Sequence, residues 1–153
     1  MGEPLQNLAG IRKTVSILCH KDGRALSSKR ITLSTCGIVK GIYDLADNGP
    51  HIRLAVSLTT ASQTLREQLM PVCVAKENSL EQLKKAIDYY AQKSGKRVTL
   101  EAALLHNTNT DLQSAKNLIN FAKNIDDFSA PSFTAITLSV FTGINSVVFQ
   151  PET

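Results

Sequence analysis

Short runs of β-branched and aliphatic residues recur at positions 31–34, 52–57, 98–104 and 133–138, and apolar residues between them fall at the three- and four-residue spacing of an α-helix. This alternation predicts βα units and a parallel sheet, because parallel neighbours need a crossover connection and the crossover is usually helical. The best-formed helix signal is residues 79–92, SLEQLKKAIDYYAQ. Ser79 with Gln82 three residues on makes a capping box, in which the two side chains satisfy amide donors that a helix start leaves orphaned. Leu80, Leu83, Ile87 and Tyr90 then share one face, and Gly95 ends the pattern. Thr110 and Gln113 repeat the box ahead of a stripe of Leu112, Ala115, Leu118, Ile119 and Ala122. Leu5, Leu8, Ile11, Val15 and Leu18 form a third amphipathic pattern, and residues 39–46 and 65–69 form shorter ones.

Four strands and about five helices follow one another with no Gly/Ser-rich linker or low-complexity stretch, which predicts a single domain over residues 1–153. A closed eight-stranded barrel takes about 250 residues, so the expected α/β architecture is an open doubly wound sheet or an incomplete barrel. Small hydroxyl residues stand at or just past three strand ends, Ser34, Ser57 and Thr142. Such groups suit a polar pocket at the C-terminal ends of parallel strands. Capping of the helix that follows is the commoner reason for a Ser or Thr there.

Composition narrows the class. With 42% hydrophobic and 20% charged residues, the chain has the make-up of a globular domain. No apolar run approaches the roughly 20 residues that span a bilayer, and the first ten residues lack the layout of a secretion signal, so no membrane association and a cytoplasmic location are expected. Cys19, Cys36 and Cys73 are odd in number and far apart, which argues against a disulfide framework and predicts small buried thiols. His20, His51 and His106 lie on different segments, with no ligand spacing for zinc. The net charge of +4 would suit RNA, but the basic residues are scattered in pairs such as Lys29 with Arg30 and Lys96 with Arg97.

Four segments carry a resemblance. Residues 1–7, MGEPLQN, look like a Met-Gly-Glu-Pro-Leu-x-Asn pattern, and residues 29–39, KRITLSTCGIV, like Arg-Val-Thr-x-Ser-Thr-Ser-Gly-Val-Val. Residues 53–71, RLAVSLTTASQTLREQLMP, follow Ala-x-Ser-Leu-His-Ala-x-x-x-x-x-Arg-x-x-x-x-Pro, and residues 97–109, RVTLEAALLHNTN, are similar to Arg-Val-Thr-Ile-Glu-Tyr-x-Leu-Leu ending in Val-Asn. In this order and spacing they resemble the radical-SAM methyltransferases that modify adenine C2 of ribosomal RNA and, in some members, transfer RNA. The resemblance implies an incomplete (βα)6 partial barrel, S-adenosylmethionine as cofactor and RNA as partner. It implies cofactor contacts at Gly2, Glu3, Ser34, Ser57 and Leu58, with the Glu3 carboxylate meeting the ligand ammonium.

The chain also departs from that pattern. Thr59 stands where the family has His, and Thr142 where it has a cofactor-contacting Asn. A [4Fe–4S] cluster is implied by the family, which holds it on Cys-x-x-x-Cys-x-x-Cys ahead of Gly-Glu-Pro. No such run occurs in these 153 residues, nor does the family's methyl-carrying cysteine near the C-terminus. The expectation is therefore a divergent, shortened relative with no catalytic residue and no metal ligand of its own. The alternative is a non-catalytic RNA- or protein-binding module of the same fold. A barrel short of its first strands would expose an edge and an apolar inner face, which predicts a homodimer across that edge or its closure by rearrangement.

Overall fold

A computed structural model describes residues 2–123, 135–142 and 145–149. Among the described residues, five strands form one sheet whose spatial order follows the chain: β1 (Thr32–Thr35), β2 (Arg53–Ser57), β3 (Val98–Leu105), β4 (Ala135–Thr142) and β5 (Asn145–Phe149). The first four are mutually parallel, and β5 returns antiparallel to β4. The fifth strand adds to the about four that the sequence predicts, and Val147, Val148 and Phe149 in it are strand-forming residues.

Five α-helices among the described residues connect or flank the strands: α1 (Leu8–Cys19), α2 (Val39–Asn48), α3 (Gln63–Leu69), α4 (Leu80–Ser94) and α5 (Leu112–Lys123). The Ser79 hydroxyl caps α4 by accepting from the Gln82 amide at 3.4 Å, and Gly95 closes the helix in the left-handed region that glycine enters freely. Two helix starts differ from expectation. Asp111 rather than Thr110 caps α5, its Oδ1 accepting from the Ser114 amide at 3.0 Å, since a carboxylate is the stronger acceptor. Leu5 lies in a separate 3-10 turn, Pro4–Gln6, ahead of α1, because Asn7 takes over as cap and accepts from the Gly10 amide. The α5 stripe is also only partly right: Leu118 is buried, whereas Leu112 and Ile119 are exposed.

One face of the sheet carries the core. The in-register residues Leu33, Leu54 and Val98, then Val56 and Leu100, are buried beneath Ile42, Leu45 and Ala46 of α2 and Leu83, Ala86, Ile87 and Tyr90 of α4. Each fully buried aliphatic side chain there contributes about 1.5–3 kcal/mol. Strand side chains alternate between faces, so the other face presents Thr32, Ser34, Arg53, Ser57, Thr99, Glu101 and Thr137, all exposed or half-exposed. Apart from Ala55, no described side chain on that face is buried. The sheet is thus covered on one side, which fits an incomplete barrel rather than a doubly wound sheet.

The open face is mixed rather than wholly apolar as anticipated, since the period-two pattern places Ala55, Ala103 and Leu105 beside its polar residues. Apolar surface also lines a groove of about 220 Å³ between α1 and β1, where Ile11, Val15, Leu18, Leu33 and Ile52 meet. Cys19 and Cys36 are half-buried rather than fully enclosed. None of the described helices is long and apolar enough to cross a membrane.

Candidate functional site at the C-terminal strand ends

Glu3 holds the C-terminal end of β1, and Arg66 ties it to that of β2. From the N-terminal side, the Glu3 carboxylate accepts from the Leu5 amide at 3.0 Å, the Thr35 hydroxyl at 2.7 Å and the Cys36 amide at 2.8 Å. Burial acts to raise the pKa of Glu3, but the bonds from Cys36, Leu5 and Thr35 outweigh it and hold the group below its ordinary value. These three donors take up part of the roughly four lone-pair sites of a carboxylate.

Thr35 completes this turn. Its hydroxyl, besides donating to Glu3, accepts from the Gly37 amide at 3.0 Å, and Gly37 takes φ of 98°, where a side chain would be strained. From the other side Arg66, one turn into α3 and fully buried, reaches back beneath both strands. Its Nη2 donates to the Cys36 carbonyl at 2.7 Å, and its Nη1 to the carbonyls of Ser57, at 3.2 Å, and Leu58.

Ser34 and Ser57 both face the open side, Ser34 exposed and Ser57 half-buried. Ser34 is level with Ala55, so Ser57 lies two residues further along, roughly 6–7 Å. Neither serves as a helix cap, since α2 is preceded by Ile38 and α3 by Ser62. Capping therefore does not explain these hydroxyls. Gly2 is exposed, and a Cβ built there would meet nothing within 4 Å, so its backbone is open to close approach.

Leu58 is turned away from this side. Its side chain is fully buried in the core, its amide donates to the Glu101 carbonyl at 2.8 Å, and its carbonyl accepts from Arg66 and from the Thr60 amide. It is framework rather than a contact surface. Thr59 is half-exposed with φ of 61°, its amide shared with the same Glu101 carbonyl at 3.1 Å. Asn109, almost fully buried, donates to the carbonyls of Thr59 at 3.1 Å and Ala103 at 2.9 Å and accepts from the Leu105 amide at 2.7 Å. Thr142 is the last residue of β4, paired with Asn145, and its side chain lies outside the described residues.

Sequence reasoning missed Arg66, Thr35 and Asn109 as organisers of the site. Arg66 and Asn109 sit inside the quoted motifs, but their residue types are ordinary for an exposed helix and a turn. Only burial distinguishes them. Glu101 was also passed over, although the period-two pattern of β3 puts it on the face of Ser57, its direct neighbour in register.

The strand ends suit S-adenosylmethionine, a ligand rich in hydroxyl, amine and carboxylate groups. Ser34, Ser57 and Thr59 supply short donors and acceptors, Gly2 leaves room, and Glu3 and Glu101 supply negative charge for a sulfonium and an ammonium. An iron–sulfur cluster does not fit the residues present. Among the described residues, no three His, Cys, Asp or Glu side chains come together.

Comparison with known proteins bears on this arrangement. No family model matches the chain. A solved radical SAM methyltransferase from Sphaerobacter thermophilus superposes with a TM-score of 0.77 and 29% identity, covering 92% of this chain and 38% of that one. The fold is that of part of a radical SAM methyltransferase, and the chain belongs to that class. Its family within the class follows from curated relatives named "Probable dual-specificity RNA methyltransferase RlmN". The one from Treponema denticola is 56% identical over 128 residues, 84% of this chain and 36% of its own length. That of Treponema pallidum is 52% identical over 126 residues, and that of Dictyoglomus turgidum 42% over 123. The chain is an RlmN homologue and spans about a third of the length of these relatives, 35–36%.

Proposed function

We propose that this chain is the S-adenosylmethionine-binding part of an RlmN-type site that methylates adenine C2 in ribosomal or transfer RNA, and that it acts in the cytoplasm. The observation that supports this best is the convergence of Gly2, Glu3, Ser34 and Ser57 at adjoining strand ends with two hydroxyls unexplained by capping. S-adenosylmethionine supplies the methyl group and, on reduction, the radical chemistry of this class. The chain's own residues bind and orient. Ser34 and Ser57 offer hydroxyls from the open face, the Gly2 backbone admits close approach, and Thr59 and Thr142 contribute at the ends of β2 and β4. Glu3 and Glu101 favour a cationic ligand over a neutral one.

The radical step needs an electron that these 153 residues have no cysteine set to deliver: Cys19, Cys36 and Cys73 do not have the Cys-x-x-x-Cys-x-x-Cys spacing. The chain alone therefore binds without catalysing. Titration calorimetry with S-adenosylmethionine is the test. Binding that weakens when Ser57→Ala is introduced supports the proposal, and absence of binding by the wild-type chain refutes it.

A second reading, an RNA-binding module without cofactor, draws on the positions of Lys29, Arg30, Lys96 and Arg97. These exposed or half-exposed residues precede β1 and β3, at the N-terminal ends of the strands and opposite the candidate site. RNA held there would not compete with a small ligand. Salt-dependent RNA binding without S-adenosylmethionine binding would favour this reading.

As for partners, we place a second copy of the chain against the free edge of β1, where the apolar α1 groove adjoins unpaired strand backbone. Light scattering at high concentration should give a dimer mass. A monomer throughout would dispose of this assembly.

A further inference from the structure

Arg66 is not among the ligand-contacting residues proposed above, yet it is a charged side chain with none of its surface exposed. Burying a guanidinium is costly unless its donors are satisfied. Here they are directed at backbone carbonyls on two different strands: Cys36 just beyond β1, and Ser57 and Leu58 at the end of β2. Nη1 also lies 3.3 Å from the Met70 sulfur at the far end of α3. The neighbouring turn is shaped around the guanidinium. At Gly37 a Cβ would lie 3.1 Å from Nη2 and 3.0 Å from Leu83 Cδ1.

A planar fork with five N–H groups can span acceptors several ångströms apart and hold their separation. A lysine ammonium is a compact point charge and cannot reproduce that span. The separation held in this way is the one between the end of the Ser34 strand and Ser57 itself. A misplacement of about 1 Å in a binding constellation can cost on the order of 100-fold.

We propose that Arg66 is the positioning residue of the site: it touches no ligand, and it sets the spacing of the two serine-bearing strand ends that do. This rests on the cofactor-binding reading above, but half of its test does not. With Arg66→Lys, under conditions where circular dichroism shows the chain fully folded, S-adenosylmethionine binds at least tenfold more weakly than to the wild type. Amide exchange in the same variant accelerates at Gly37, Leu58 and Thr59 and is unchanged at Ile87 in the core of α4. A residue with a merely structural role would lower the melting temperature while leaving the affinity of the folded protein and the pattern of exchange unaltered, and that result overturns the proposal.

If the wild type fails to bind, the cofactor reading falls, and the exchange pattern alone decides whether Arg66 fixes the strand ends. If the variant does not fold, the wild type carries the test. A ligand that uses the spacing set by Arg66 must in turn tighten the Arg66 contacts, because coupling is reciprocal. Slower solvent exchange of the Arg66 guanidinium protons on adding S-adenosylmethionine supports the assignment, and unchanged exchange at saturation refutes it.

Discussion

The carbonyl of Thr59 accepts a hydrogen bond from Asn109 Nδ2 at 3.1 Å, a contact between residues fifty positions apart in the chain. It pins the backbone just beyond β2 to the turn beyond β3. It does so at a residue whose φ of 61° is unfavourable for a β-branched side chain. Asn, Asp and His enter this region more readily, and His is what the family pattern has at this place. Thr59→Asn should therefore raise stability by about 1 kcal/mol, read as a higher urea midpoint at unchanged slope. Asn109→Ala should lower it by about 2 kcal/mol, since it leaves the half-buried Leu105 amide and two carbonyls without that partner. Equal midpoints for all three proteins would show that this contact does not constrain the fold.

Glu3 gives an acid-side prediction. Its folded pKa is depressed, so the stabilisation it contributes is complete above its unfolded pKa near 4.5 and is lost as pH falls through the lower folded value. Urea midpoints measured from pH 7 downward should drop below pH 4.5 in the wild type. In Glu3→Gln, the part of the drop due to this residue should be absent and the midpoint lower throughout the neutral range. Parallel curves for the two proteins would contradict the assignment.

Tyr90 gives the alkaline counterpart. It is fully enclosed in the core, and its hydroxyl donates to the Ile52 carbonyl. Burial pushes its pKa up to about 12. The unfolded chain ionises near pH 10 while the folded chain does not, so stability is full below pH 10 and declines as pH rises from there toward 12. Tyr90→Phe should cost about 1 kcal/mol at neutral pH and flatten the alkaline decline, as followed by thermal melts between pH 9 and 12.

The basic residues at the other end of the sheet make a prediction about RNA. Replacing Lys29 and Arg30 by Ala should weaken RNA binding and reduce the magnitude of the salt slope by about 1–2. Affinity for S-adenosylmethionine should be unaffected, because these residues flank the strand starts and the candidate site lies at the strand ends. A salt slope identical to that of the wild type would place the RNA elsewhere on the surface.

Much of the fold was readable because its signals are local. The α4 helix, with Ser79 at its start and Gly95 at its end, follows from spacing and capping alone. The strand cores at residues 53–57 and 98–104 follow from their aliphatic content. The outer half of the α5 stripe was misread because spacing identifies a face without saying how wide the covered part is, and Leu112 and Ile119 fall at its margin. The candidate site was legible as a set of serines and a Gly-Glu pair. What orders it was not. Glu3 acts through the backbone of residues over thirty positions away, and Arg66 through carbonyls that any residue would possess. Such contacts leave no trace in side-chain type or period, and they become visible only once the strands are aligned.

The match between spatial and sequential order of the strands has a consequence for how the molecule is made. Each described strand after β1 emerges from the ribosome to find the described neighbour it joins already synthesised, and none of them has to insert between two earlier ones. Assembly can keep pace with synthesis in short, local steps.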